Sequence, residues 1–246
     1  MKEIDPDRFG KIYQYFSAPV TRLDCGKKCG PHNLGGAPFC CDLAHTIPAA
    51  YQKEREYLQS STDLWRRWEE KTPGQERQMR RHLQAGQQLI GCKGHRFCQR
   101  EYRSIACRAF PFFPYLSSQG EFLGLSYYRE YRDRCWVISH LNQIEEDFLA
   151  QFMKAFQELF SLYPDSKRAY QGYSRQVRRQ TAQKGEQLVL LKPGKEAWRI
   201  DPQTENETAG KLDDLPAFAP YDIIRQMPFP DELEEGNSLA NWDDGE

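Results

Sequence analysis

The chain has 246 residues, a length that allows one hydrophobic core to form without disulfide staples. Its 34 Lys and Arg side chains nearly balance 35 Asp and Glu, so no global charge favours nucleic acid or an anionic membrane surface as a partner. No window approaches the roughly 18 consecutive apolar residues that a transmembrane helix needs, and residues 1–20 contain no secretory apolar run. We therefore expect a cytoplasmic protein without membrane association.

The first part of the chain alternates helical patterns with a loop. Apolar residues at helical spacing predict a short helix within residues 1–20. Residues 21–42 hold four cysteines among glycines and prolines, a composition typical of a ligand loop. Good helix formers predict one or two helices over residues 49–71, and a polar, arginine-rich pattern predicts a solvated helix over residues 75–90.

Two β-hairpins are predicted further along the chain. Residues 112–116 and 122–128 are rich in strand formers and flank a Ser-Ser-Gln-Gly turn. Residues 187–191 and 197–201 enclose a Pro-Gly pair in the same way. The first hairpin would bring Cys135 back toward Cys107.

The strongest helical pattern covers residues 142–162, where apolar positions step by three or four. Asn142 and Glu145 are placed to cap this helix, and Pro164 is expected to stop it. Residues 167–184 are basic with interleaved tyrosines, which suits either a solvated helix that packs its tyrosines on the core or a surface that binds RNA or an acidic partner.

These patterns divide the chain into three parts. Residues 1–165 form a cysteine-cluster metal-binding domain with its packing helices, residues 166–204 a basic helix and hairpin extension, and residues 205–246 an acidic, poorly ordered tail. The expected fold class is α+β: a mainly helical, loop-rich cysteine-cluster core with one or two short β-hairpins.

Eight cysteines are the candidate metal ligands. They are Cys25, Cys29, Cys40, Cys41, Cys92, Cys98, Cys107 and Cys135. In a reducing compartment metal binding explains such a set better than disulfides do, although a disulfide framework remains the alternative. Thiolates are soft donors, so zinc or an iron–sulfur cluster is expected rather than magnesium or calcium.

Other residues near these cysteines refine the hypothesis. Neighbours in an extended chain face opposite ways, so Cys40 and Cys41 are not expected to contact one ion together. His95 and, less directly, His32 are candidate additional ligands. Three basic residues beside the cysteines, Arg108, Lys27 and Lys28, are expected to lower the thiol pKa values.

The segment Cys98–Pro111 reads Cys-Gln-Arg-Glu-Tyr-Arg-Ser-Ile-Ala-Cys-Arg-Ala-Phe-Pro. It resembles the end of the motif of the YkgJ-type CxxCxxCC cysteine-cluster family, described as zinc- or iron-chelating domains. Arg103, Arg108 and Phe110 fall where that motif places them, whereas Ser104 replaces a usual proline and one residue fewer separates the cysteines. The early cysteine group departs further, with three residues between Cys25 and Cys29.

The resemblance covers roughly residues 21–140 and implies a protein that binds zinc or an iron–sulfur cluster through converging cysteines, with a structural or redox role. A protein-modifying enzyme similar to the lysine N-methylases that carry such a cluster is the alternative, although the sequence has no glycine-rich S-adenosylmethionine loop after a strand. A third possibility is an interaction module that uses the basic residues 167–184 to bind a protein partner. The sequence predicts neither the substrate nor the oligomeric state.

Overall fold

The computed structural model describes residues 7–68, 83, 86–194 and 196–222, and every element below lies in those ranges. Its α-helices are α1 (Asp7–Tyr15), α2 (Cys25–Cys29), α3 (Gln52–Ser61), α4 (Ile105–Ala109), α5 (Trp136–Ser139), α6 (Glu146–Leu162) and α7 (Pro164–Gln183). Its strands are β1 (Ala49–Tyr51), β2 (Trp65–Arg67), β3 (Gln87–Cys92), β4 (Phe112–Leu116), β5 (Phe122–Tyr127), β6 (Leu188–Lys192), β7 (Glu196–Ile200) and β8 (Glu207–Gly210).

A ladder of phenylalanines along α6 forms the centre of the core. Phe148, Phe152, Phe156 and Phe160 recur every four residues, with neighbouring ring centroids 5.9, 4.4 and 6.0 Å apart. Since residues four apart share one face of a helix, all four rings point into the protein. Phe148 also meets Phe112 of β4 at 5.9 Å, so the ladder joins the helices to the larger sheet.

That sheet contains five antiparallel strands in the order β4-β5-β6-β7-β8. The two predicted hairpins are confirmed as β4-β5 and β6-β7. They are joined through Leu125, which pairs with Leu191. Glycine is required beside this junction, because a Cβ on Gly124 would lie 2.4 Å from the Leu191 carbonyl oxygen.

The expectation of a mainly helical fold is wrong, because the two hairpins are parts of one extended sheet and the structure is a mixed α+β fold. Pairing between β5 and β6 joins residues more than sixty positions apart, which local sequence patterns do not encode. The first hairpin strand, β4, is also buried along its whole length, so it lacks the alternation that identifies an amphipathic strand.

A smaller sheet, in the order β1-β3-β2, replaces parts of the predicted helices. The helix predicted over residues 49–71 is confirmed only for α3, since residues 49–51 and 65–67 are strands. Residues 87–90 of the second predicted helix belong to β3, and most of that helix lies outside the described residues. Trp65 pairs with Cys92, so this sheet positions a candidate ligand.

The predicted capping of the long helix is also wrong. Glu145 occupies the N-cap of α6 without a side-chain capping bond, and Asn142 instead donates to Asp213 Oδ1 at 2.9 Å. Pro164 ends the pattern as expected, but it also begins α7, where its missing N–H costs nothing at the first helical position.

The basic helix and the predicted tail contact each other. Arg178 of α7 is buried, and its guanidinium donates to the Tyr115 hydroxyl at 3.1 Å and lies 2.9 Å from Glu205 Oε1. Part of the range predicted to be a poorly ordered tail is ordered, because β8 extends the sheet and Tyr221 is fully buried. Residues 223–246 lie outside the described residues. Among the described helices, none has the length and apolar character that crossing a membrane requires.

The buried carboxylate of Glu54 ties together segments that surround the cysteines. It accepts hydrogen bonds from the Tyr13 hydroxyl at 2.8 Å, the Ile105 N–H at 2.7 Å and the Tyr51 N–H at 3.1 Å. These donors lie on α1, at the start of α4 and in β1. Burial raises the pKa of Glu54, although its hydrogen bonds oppose that effect.

We expect Glu54→Gln to lower the free energy of unfolding by about 1–3 kcal/mol, because the amide N–H₂ would face one of these three donors. With the folded pKa raised, the stabilisation from Glu54 is complete below its unfolded pKa near 4.5 and declines as the pH rises through the folded pKa. The variant lacks this stabilisation, so the difference in unfolding free energy between wild type and variant should be larger near pH 4 than near pH 7. Urea denaturation at both pH values measures it.

Glu101→Gln is the matched control, since Glu101 is exposed. Its unfolding free energy should stay within about 0.5 kcal/mol of wild type at both pH values. An equal deficit for Glu54→Gln at the two pH values would contradict the raised pKa.

Candidate functional site

All eight cysteines fall within the described residues and carry free thiols, so no disulfide joins any two of them. They come from three stretches of chain: an early loop, the segment from β3 to α4, and the residue before α5. The disulfide alternative is therefore not what the structure contains.

The early loop is folded back on itself by Asn33. Its amide donates to the Ala37 carbonyl at 2.9 Å and to Asp42 Oδ2 at 3.0 Å, and its side-chain oxygen meets His45 Nε2 at 3.2 Å. Gly30 permits this fold, because a Cβ there would lie 2.6 Å from the Gly36 carbonyl oxygen. The loop thus returns Cys40 and Cys41 toward Cys25 and Cys29.

The sequence predicted that the vicinal cysteines face opposite ways, and this prediction is wrong. Phe39–Cys41 forms a 3₁₀ turn instead of an extended strand, and the Sγ atoms of Cys40 and Cys41 lie 3.9 Å apart. With a Zn–S distance of about 2.3 Å, two thiolates on one tetrahedral ion would stand about 3.8 Å apart. The pair therefore has the spacing of two ligands to one metal.

The second group of thiols comes from the segment between β3 and α4. Cys92 ends β3, and the Gly94 N–H donates to its Sγ at 3.4 Å. Cys98 accepts a hydrogen bond from Arg103 Nε at 3.0 Å. Cys107 lies on α4, whose N-cap is Ser104, the residue that replaces the usual proline of the motif. The Ser104 hydroxyl accepts from the Cys107 N–H at 3.3 Å and so positions this thiol's backbone.

Five of the thiols line one cavity of about 50 Å³. These residues, which we call the cavity cysteines, are Cys40, Cys41, Cys92, Cys98 and Cys107. One water molecule needs roughly 10–15 Å³ on the same measure, so the cavity has room for several atoms. His95 and Arg103 line it as well.

The other three thiols, Cys25, Cys29 and Cys135, lie beside the cavity cysteines, and we call them the flanking cysteines. The short helix α2 contacts α5, which brings Cys135 to the first two. Cys25, Cys29 and Cys135 all act electrostatically on Cys40, and Cys41 acts on Cys25 and Cys29 as well as on Cys92 and Cys107. The vicinal pair therefore lies between two sets of thiols.

No three His, Cys, Asp or Glu side chains in the described part of the chain are arranged to hold a single metal ion. The thiols converge on a region without closing around one point. The described residues therefore contain no preformed mononuclear zinc site, whereas their soft donor set and the cavity fit a centre of several atoms.

Burial is the largest influence on the acidity of Cys25, Cys29, Cys92, Cys107 and Cys135. It raises the pKa of Cys25 and of Cys107 to about 12, and neighbouring thiols add to that effect. The expectation that nearby basic residues would leave the thiol pKa values lowered is wrong, because desolvation of the charged thiolate outweighs their attraction. Arg108 is used elsewhere: its guanidinium donates to the carbonyls of Arg103, Tyr13, Phe16 and Glu101.

Arg103 is the cation that faces the thiols. Burial disfavours its charge, but the facing thiols, Cys98 first and then Cys41 and Cys40, raise its pKa above the ordinary value. In return, the positive charge of Arg103 partly offsets the raised pKa of Cys25, Cys41 and Cys107. The motif includes this arginine, but it does not indicate that the guanidinium would contact a cysteine.

The two histidines predicted as additional ligands have different surroundings. His95 lines the thiol cavity, as its position between two cysteines suggested. The exposed His32 places its ring 5.2 Å from the ring of Tyr221, edge to face. Asn33 and Glu54 hold the cysteine segments in place. No sequence pattern indicated either residue, because a single buried polar residue has no periodicity.

No family model, curated protein or solved structure matches this chain. The resemblance of residues 98–111 to the cysteine-cluster family therefore stands on those residues alone. A function has to be argued from the geometry of the thiols and of the cavities beside them.

We expect Arg103→Gln to slow the alkylation of Cys41 and Cys107 by iodoacetamide roughly threefold to tenfold in metal-free protein, because the thiolates lose their facing cation. Mass spectrometry of the modified peptides measures each rate. Arg96→Gln is the control, since Arg96 is exposed. Equal rates in the two variants would show that Arg103 does not act on these thiols.

Proposed function

We propose that this protein binds an iron–sulfur cluster through thiolates of the cavity cysteines. The observation that carries this proposal is the single cavity lined by five cysteines from two distant segments of the chain. Free thiols in this number favour a reducing compartment, so we propose the cytoplasm as its location.

An iron–sulfur cluster is favoured over a single zinc ion. The cavity has room for several atoms, and the described donors do not surround one ion position. The 3.9 Å spacing of Cys40 and Cys41 is the feature that favours zinc.

Cys41, Cys92, Cys98 and Cys107 are the four ligands that we propose. Cys41 acts electrostatically on Cys92 and Cys107, and Cys92 is also affected by Cys98. Cys40 lines the same cavity but belongs electrostatically with the flanking cysteines.

The neighbouring residues would compensate the charge of this site. Arg103 places a partly buried positive charge beside Cys98 and within electrostatic range of Cys41 and Cys107, and the Gly94 N–H stabilises the sulfur of Cys92. When bound, an iron–sulfur cluster supplies one-electron transfer, at a potential that such hydrogen bonds tune. The ligands also join β3 to α4 and to the early loop, so binding would stabilise the fold.

After anaerobic reconstitution with ferrous iron and sulfide, wild-type protein should be brown and contain about four or more irons per chain. Cys107→Ala should lose the visible absorption and most of the iron, and its melting temperature should fall, because metal binding is coupled to folding. Elemental analysis and absorption spectroscopy measure the content. A colourless protein with stoichiometric zinc would overturn the iron–sulfur assignment.

Cys135→Ala is the matched control, since Cys135 is buried but does not line the cavity. It should retain the visible absorption of the cluster held by the cavity cysteines. Full iron content in Cys107→Ala would remove that residue from the ligand set. Complete loss in Cys135→Ala, with circular dichroism unchanged, would show that the flanking cysteines are ligands too.

A further inference from the structure

A second and much larger cavity lies on the other side of two candidate ligands. Its volume is about 640 Å³, within the range of small-molecule binding sites. Cys40 and Cys107 form part of its wall and also line the thiol cavity. The two cavities therefore share a wall made partly of sulfur.

Tyrosine dominates the lining of this larger cavity, which we call the tyrosine cavity. The five tyrosines are Tyr51, Tyr128, Tyr131, Tyr170 and Tyr173. Their rings are fixed by aromatic neighbours: the centroids of Tyr128 and Tyr173 are 5.7 Å apart, and Tyr170 meets Phe156 edge to face at 5.8 Å. The ring positions are thus held by packing before any ligand arrives.

The phenol groups of Tyr51 and Tyr128 stay neutral. Burial raises the pKa values of Tyr51 and Tyr128 well above the ordinary value for tyrosine, and neighbouring phenols raise these pKa values further. Tyr170 lies within electrostatic range of both. Tyrosine side chains therefore line the cavity, and the faces of such rings and their phenol oxygens are weakly negative surfaces.

Carboxylates are the charged groups on this wall. Among the lining residues that the structure describes, Glu54 and Glu130 are acidic and none is Lys, Arg or His. The Glu54 carboxylate is occupied by its three donors. Glu130 is exposed in the 3₁₀ turn Arg129–Tyr131 after β5, where its charge can act on a bound molecule. This distribution disfavours phosphates and carboxylates as ligands.

We propose that the tyrosine cavity binds a small organic cation of the alkylammonium class, with its charge against the tyrosine rings and Glu130. A cation over such rings gains electrostatic attraction from the ring quadrupole, and burial strengthens it. The apolar walls contributed by Phe110, Phe112 and Phe156 suit the alkyl part. Binding does not depend on the metal centre, and only the closeness of the ligand to that centre rests on the proposed function.

Isothermal titration calorimetry on the full chain tests the proposal with three probes of equal size: n-butylammonium chloride, n-butanol and sodium butyrate. n-Butylammonium should bind at least about tenfold more tightly than either of the others. Equal affinity for n-butanol would show an ordinary apolar cavity, and stronger binding of butyrate would reverse the expected charge. Absence of heat with all three probes would also overturn the proposal.

Variants then locate the binding. Tyr173→Leu should weaken n-butylammonium roughly tenfold, whereas Tyr173→Phe, which keeps the ring, should change it less than about twofold. Glu130→Gln should weaken it roughly threefold and leave the melting temperature unchanged, since Glu130 is exposed. Equal affinity in Tyr173→Leu and wild type would place the probe elsewhere. The iron content of the same samples is measured separately, so loss of the cluster and loss of cation binding are distinguishable.

Discussion

The buried carboxylate of Glu54 is the constraint on which the arrangement of the cysteines depends. A carboxylate in an apolar interior is costly unless its oxygens are hydrogen-bonded, and three donors from separate segments meet that need. One of them is the N–H of Ile105, two residues before Cys107. Arg108 completes the same junction by donating to backbone carbonyls of α1 and of the turn before α4. The later cysteines are thereby held against the helices.

Convergence of the thiols follows from this scaffold and from the turn chemistry of the early loop. Asn33 closes that loop, and the 3₁₀ turn at Phe39–Cys41 directs two sulfurs toward the rest. Burial makes each thiolate unfavourable in isolation, so a cation is needed where several meet. Arg103 supplies it, which gives the motif arginine a physical role in this chain.

The shared wall of the two cavities links the proposed cluster to the proposed cation site. Cys107 is held on a helix that faces both spaces, and Cys40 lies at the boundary between the thiol sets. A ligand among the tyrosines would lie next to sulfur ligands rather than across the protein.

Some features were determined by the sequence alone because they are local. The two hairpins follow from turn residues between strand formers, the helix α6 follows from its apolar period, and the candidate ligands follow from the chemistry of cysteine. Tertiary structure decided the rest. The pairing of Leu125 with Leu191, the conversion of residues 49–51 and 65–67 into strands beside β3, and the contact of Arg103 with Cys98 all depend on partners or orientations that local patterns do not specify. Strand pairing and buried polar contacts form between distant segments, so local propensity cannot specify them.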